Sequence, residues 1–212
     1  MTVERESLVA AVRTLDAQGF MPRKSGNASL RMTDGFVITP SGLPYAALTA
    51  ADLVGCSLDA PGPSASSEWR LHAAIYRARP DAMAVVHTHS PRATALSCAR
   101  RGIPPIHYMI TLAGAGGRLG IPCAAHATFG TEALALACVA ALGNELRAVL
   151  LANHGVIALG ATLAGAVALA EEAENLAGQY LALRSAGLEP TLLTESELAE
   201  AAAQLRDYGR PA

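Results

Sequence analysis

Apolar residues recur at helical spacing over residues 4–18, where Leu8, Val9, Val12 and Leu15 form one stripe that Gly19 ends. This spacing predicts an opening amphipathic helix. The next stretch, GNASLRMTDGFVITPSG (26–42), loses that period and predicts two short strands around a Thr-Asp-Gly turn. A Pro/Gly/Ser loop, LDAPGPSASSE (58–68), leads into SSEWRLHAAIYRARP (66–80), a helix with serines at its start and a proline at its end. AMAVVHTHS (82–90) predicts a buried strand passing into polar residues, and PRATALSCARRG (91–102) the helix that follows it. The Gly-rich TLAGAGGRLGIPCA precedes a helix over Thr131–Leu142, and RAVLLANHG (147–155) is a second apolar strand that stops at a histidine. A long alanine-rich helix over Leu163–Ala186 and a shorter one over Glu195–Leu205 complete the pattern. Helices and strands alternate without strict βαβ regularity and without an internal repeat. The expectation is a single α/β domain over residues 1–212 with a mixed central sheet.

Composition narrows the function. The 212 residues suffice for one sizeable core and are tight for two. Only 16% of residues are charged and the net charge is −2, so the surface is not built to follow a nucleic-acid backbone. Sparse charge also fits a surface partly covered by sister subunits. MTVERESL lacks the basic patch and apolar run of a signal peptide, and no run of about 18 apolar residues is present to cross a bilayer. Cys56, Cys98, Cys123 and Cys138 have no metal-type spacing and read as free thiols, which predicts a cytoplasmic protein. Lys24 is the only lysine, and it sits in the polar turn MPRKSGNAS, where desolvating an amine is hard. Imine chemistry is therefore disfavoured, and electrophilic help is expected from a metal.

The candidate ligands stand where apolar runs stop. In HTH an extended backbone points His87 and His89 to one side. Alone, that pair is equally a metal pair or two histidines capping a strand end. His154, at the end of VLLANHG, tips the balance to a three-histidine catalytic site, with Gly155 letting the backbone turn after the ligand. Glu68 opens a helix, where the dipole favours a carboxylate; if it faces the metal it becomes a general acid/base. His72 lies one turn later, as a site residue or a packing histidine. KSGNAS (24–29), TPSG (39–42) and SASS (64–67) combine exposed amides with hydroxyls and suit phosphate oxygens. The Walker pattern is absent, and LAGAGGRLG has no dinucleotide-binding register.

SGNAS, TPSG, SSEWRLHAAIYRARPDAMAVVHTHS, IPPIHYM, IPCAAHATFGT, ANHG and RDYG together resemble the class II (zinc-dependent) aldolase family, over most of residues 6–210. Within it the nearest likeness is to enzymes acting on L-fuculose 1-phosphate. The resemblance implies a single α/β domain with a mixed, largely antiparallel sheet flanked by helices. It implies a lyase that reversibly cleaves a ketose 1-phosphate to dihydroxyacetone phosphate and an aldehyde, with one zinc ion per subunit on His87, His89 and His154. Glu68 matches the catalytic glutamate. Gly26, Asn27, Ser41, Gly42, Ser66 and Ser67 match the phosphate loops. Tyr108 matches a tyrosine that reaches a neighbouring subunit's site in a homotetramer, and Tyr208 one on a mobile C-terminal tail (206–212). The motif reads HTHS, and His126 stands where fuculose enzymes tend to carry tyrosine. Cleavage of 5-deoxyribulose 1-phosphate or 5-(methylthio)ribulose 1-phosphate, epimerisation of a pentulose 5-phosphate, and a non-catalytic scaffold of the same fold are the alternatives.

Overall fold

The computed structural model describes residues 2–207. Six α-helices, α1 (Thr2–Ala17), α2 (Trp69–Ala78), α3 (Pro91–Cys98), α4 (Glu132–Leu142), α5 (Leu163–Ser185) and α6 (Glu195–Asp207), surround one sheet. Its strands are β1 (Asn27–Met32), β2 (Gly35–Ile38), β3 (Val54–Cys56), β4 (Ala84–Thr88), β5 (Cys123–Ala124), β6 (Ala148–Leu151) and β7 (Gly155–Gly160). They lie in the order β3-β2-β1-β4-β7-β6-β5, and every neighbouring pair is antiparallel except β5–β6. The mixed, largely antiparallel α/β domain is therefore as expected.

Three strands were not legible in the pattern. VIALG, left unassigned by the pattern, belongs to β7: β6 and β7 form a hairpin, with Leu151 opposite Gly155. β3 and β5 are three and two residues long, too short to show a period. The Gly-rich stretch contributes 3₁₀ turns at Tyr108–Ala113 and Ala115–Gly117.

Alternation along the central strands divides the core in two. Ala28, Ala84, Val86, Leu150, Val156 and Ala158 face α1, α3 and α5. Val85, Val149, Leu151, Ile157 and Leu159 face α2 and α4. Register then decides what else the second face holds. Asn27 pairs with His87 and Ser29 with Val85, so Asn27, Ser29 and His87 all point toward α2. A slip of one residue would turn all three to the opposite layer.

The segment after His89 is fixed from a distance. Glu174, buried on α5, accepts the backbone N–H of Arg92 through both oxygens at 3.0 Å and that of Ala93 at 2.8 Å. It thus serves as the N-terminal cap of α3, for which Ser90 supplies no side-chain bond. Glu174→Ala leaves two inward amide donors without an acceptor and is expected to cost about 2–3 kcal/mol, measured by urea unfolding. A loss under about 0.5 kcal/mol would remove the cap from this account.

Candidate metal centre and active site

β4 and the β6–β7 hairpin bring the three histidines together. His87 lies within β4 opposite Ile157, His89 just past its end, and His154 in the turn between β6 and β7. The turn is made by Asn153, at φ 57°, a conformation that asparagine tolerates. Gly155 has a different role from the expected one. A Cβ there would stand 2.4 Å from the Thr88 carbonyl oxygen and 3.2–3.3 Å from the rings of His87 and His89. It allows close approach and does not make the turn.

The rings meet edge to face, with centroids 4.8 Å apart in all three pairs. His87 Nε2 lies 3.0 Å from His89 Nε2 and 3.3 Å from His154 Nε2. Tetrahedral coordination with zinc–nitrogen bonds of about 2.0–2.1 Å would separate ligand nitrogens by about 3.3 Å, so the spacing fits a metal ion. Three converging ring nitrogens cannot satisfy one another by hydrogen bonds, whereas a cation satisfies all three lone pairs. His87 Nδ1 lies 3.0 Å from the Val156 carbonyl, to which it donates, leaving Nε2 to face the cluster.

Glu68 is the fourth member. It stands at the N-terminal cap position of α2 but makes no capping bond, and its buried side chain turns inward instead. Its Oε2 lies 3.1 Å from His87 Nε2, and its Oε1 3.4 Å from His154 Nε2. At that separation Oε1 has no hydrogen-bond partner, an orphaned buried oxygen facing the three imidazoles. Among the described residues, Glu68, His87, His89 and His154 form the one such group able to hold a metal, their ligand atoms all within 4.8 Å of one another.

Electrostatics follow from burial and proximity. Burial, reinforced by His87 and His154, pulls His89 down to about 3; burial and then His87 pull His154 down to about 4, so both rings are neutral as ligands must be. Burial pushes the Glu68 carboxyl up, but His87, His154 and the Asn27 amide outweigh it and hold the group well below the usual carboxylate range. Burial lowers His87 as well, and Glu68 overcomes it and raises that ring.

The cluster opens into a cavity of about 380 Å³. Gly26, Asn27, Ser41, Gly42, Ser66 and Ser67, the six expected phosphate-loop residues, all line it. Their loops are joined by backbone bonds from Ser41 N–H to the Ser64 carbonyl (2.9 Å) and from Ser66 N–H to the Thr39 carbonyl (3.2 Å). Tyr45 donates to the Gly26 carbonyl at 2.6 Å and pins the first loop. At Gly26, φ is +84° and a Cβ would meet the His87 carbonyl oxygen at 2.6 Å, so only glycine fits. The Asn27 side chain is committed inward: it donates to Glu68 Oε2 at 2.9 Å and lies 2.5 Å from His72 Nε2. Its backbone is taken up by the pairing with His87, so the amides of Gly26, Gly42 and Ser67 are the ones that remain for an anion.

Two further features of the cavity come from stretches already noted, KSGNAS and the loop of His126. Lys24, set aside as an imine former, lines the wall, and its Nζ donates to the Gly42 carbonyl at 3.0 Å, bridging two loops. Its position in KSGNAS was the available signal. His126 and Phe129 also line it, from an exposed loop. Tyr108 does not line this cavity; it is half exposed and stacks on His107, centroids 4.6 Å apart. Tyr208 lies outside the described residues.

A buried carboxylate beside three convergent imidazoles, opening on a polar cavity, defines a metal-dependent enzyme with a mononuclear centre. Comparison with known proteins specifies the family. Residues 6–181 match the family model described as Class II Aldolase and Adducin N-terminal domain. The chain is 44% identical to L-fuculose phosphate aldolase of Escherichia coli K12 over 188 residues, 87% of this chain and 86% of that protein. It is 42% identical to 5-methylthioribulose-1-phosphate/5-deoxyribulose-1-phosphate aldolase of Rhodospirillum rubrum over 208 residues, 97% and 92% of the two chains. A solved L-fuculose 1-phosphate aldolase superposes with a TM-score of 0.89 at 31% identity, covering 97% of each chain. The chain belongs to the class II aldolase family and is a metal-dependent carbon–carbon lyase.

Proposed function

We propose that the protein reversibly cleaves a ketose 1-phosphate to dihydroxyacetone phosphate and an aldehyde, using zinc held by His87, His89 and His154. The observation that carries this reading is the orphaned Glu68 Oε1, buried beside the three imidazoles at the floor of the loop-lined cavity. Three imidazoles with an adjacent carboxylate suit zinc among the divalent metals. When bound, the metal supplies a Lewis acid that stabilises negative charge on a carbonyl-derived oxygen.

The chain's own residues supply the rest. The amides of Gly26, Gly42 and Ser67 and the hydroxyls of Ser41, Ser66 and Ser67 bind the phosphate, with Asn27 beside them, and the Lys24 ammonium adds the charge the loops lack. After the C3–C4 bond of the substrate breaks, Glu68 returns to C3 the proton given up by the C4 hydroxyl. The C4 hydroxyl loses its proton as the carbonyl forms, and Tyr108 of a neighbouring copy handles it. The half-exposed position of Tyr108, away from its own cavity, supports such sharing in a homotetramer. Among the described residues no helix is long and apolar enough to cross a membrane, and the four free cysteines support a cytoplasmic location. Tyr208 is assigned to a C-terminal contact with bound substrate.

A second reading concerns only the sugar. The likeness to the R. rubrum enzyme runs over 97% of the chain, against 87% for the E. coli one, and this supports 5-(methylthio)- or 5-deoxyribulose 1-phosphate. The intact ligand set supports either enzyme over a non-catalytic scaffold, and no observation favours the epimerase. The deciding experiment measures dihydroxyacetone phosphate release from all three sugar phosphates on zinc-loaded and chelator-treated protein. Zinc-dependent release from any one is expected, and kcat/KM ranks them. No release from all three would refute the ketose 1-phosphate reading. Lys24→Met is expected to raise KM about tenfold and leave kcat within about twofold, the signature of lost uniform binding.

A further inference from the structure

Behind Glu68 lies a hydrogen-bonded chain that the reaction as described does not use. Glu68 Oε2 accepts from Asn27 Nδ2 at 2.9 Å, and Asn27 Oδ1 is 2.5 Å from His72 Nε2. On the other edge of the same ring, His72 Nδ1 is 2.6 Å from Ser29 Oγ, which is 2.7 Å from the Tyr76 hydroxyl. Asn27, Ser29, His72 and Tyr76 are all buried.

Donor and acceptor roles along this chain are forced from one end. The Glu68 carboxylate can only accept, so the Asn27 amide presents its NH₂ to it and its oxygen to His72. His72 Nε2 must then carry a proton. Burial holds this ring neutral down to a pH of about 3, so its Nδ1 is a bare acceptor, filled by the Ser29 hydroxyl. Tyr76 in turn donates to Ser29. Four hydrogen bonds thus point the same way, from Tyr76 to Glu68. Their effect is to hold Oε2 at a fixed place and leave Oε1 as the free oxygen.

We infer that His72 is a positioning residue for proton transfer: its Nε2–H fixes the Asn27 amide, which aims Glu68 Oε1 at the reacting carbon. Without that donor the amide is free to rotate and offer its oxygen to the carboxylate, which repels it. The inference rests on Glu68 being the group that moves the proton.

The test exploits side-chain length. Counted in bonds from Cβ, the nitrogen of glutamine matches His Nε2 and that of asparagine matches His Nδ1. His72→Gln therefore retains the donor to Asn27, and His72→Asn does not. In zinc-loaded protein, His72→Asn is expected to lower kcat about tenfold to a hundredfold, the scale of a displaced catalytic group, with KM within about twofold and bound zinc unchanged. His72→Gln is expected to recover kcat to within about fivefold of wild type. Ser29→Ala, which preserves packing volume, covers the case of a misfolded His72 variant; a fall in kcat of about threefold to tenfold at unchanged zinc is expected. Wild-type kcat in His72→Asn or, should that variant misfold, in Ser29→Ala, equal losses in the Asn and Gln variants, or losses that track lost zinc would each overturn the inference. Glu68→Gln run alongside separates the two levels: if it is fully active, the role of Glu68 itself fails. If only it is impaired, the positioning role of His72 fails.

Discussion

His154→Ala is expected to lose bound metal and turnover together. Removing His154 disturbs the fold less than removing His87, because it sits in the turn between β6 and β7 with its side chain 12% exposed, whereas His87 is fully enclosed. The turn itself is held by other groups: Asn153 N–H bonds to the Ser97 carbonyl at 2.9 Å, and His154 N–H to the Ser97 hydroxyl at 3.2 Å. With only two imidazoles left, the site falls short of the three protein ligands that catalytic zinc sites use. Losing Lewis-acid stabilisation worth several kcal/mol lowers turnover by a factor on the order of 10³. Elemental analysis of the purified variant, beside its far-ultraviolet circular dichroism, checks both halves. A folded variant that keeps one equivalent of metal would take His154 out of the ligand set.

The second large effect separates proton transfer from metal binding. Glu68→Gln preserves volume and, through its amide oxygen, the acceptor for Asn27 Nδ2, but removes the negative charge. Turnover is expected to fall by about 10² to 10⁴, the range for loss of a positioned general acid or base. The three imidazoles remain, so the variant is expected to retain its zinc. Stopped assays of dihydroxyacetone phosphate formation at matched metal content make the comparison. Wild-type turnover in this variant would move the proton to another group, and complete loss of zinc would make Glu68 chiefly a ligand.

Much of the site was legible because its ligands end apolar runs. AMAVVHTHS and RAVLLANHG each show a buried strand stopping at histidine, and neighbouring strand ends share a crevice. The helices were legible from apolar stripes, alanine-rich runs and a few start and stop residues; the threonine caps Thr131 and Thr162, which accept the Leu134 and Gly165 amides, are added by the structure. What stayed hidden depended on partners distant in the chain. β7 was missed because the three residues Ala152–His154 that reverse the chain carry no glycine or proline. Asn27 read as a loop residue for an anion, since nothing local reveals that it lies opposite His87 and within reach of Glu68 and His72. Glu174 carries no local signal, and only its packing against α3, more than 80 positions earlier, makes it a cap.

The metal-facing groups are held within or at the ends of interior elements, β4, the β6–β7 turn and the start of α2, while His126, Thr128 and Phe129 stand exposed on a loop of the cavity wall. This division separates two kinds of tolerance to change. Substitutions on the strands propagate through register and close backbone contacts, as at Gly26 and Gly155, where no Cβ fits. Substitutions at 126, 128 and 129 meet mostly solvent. A library randomised over that loop therefore offers a route to new aldehyde acceptors in carbon–carbon bond synthesis, with the electrophilic centre left as it is.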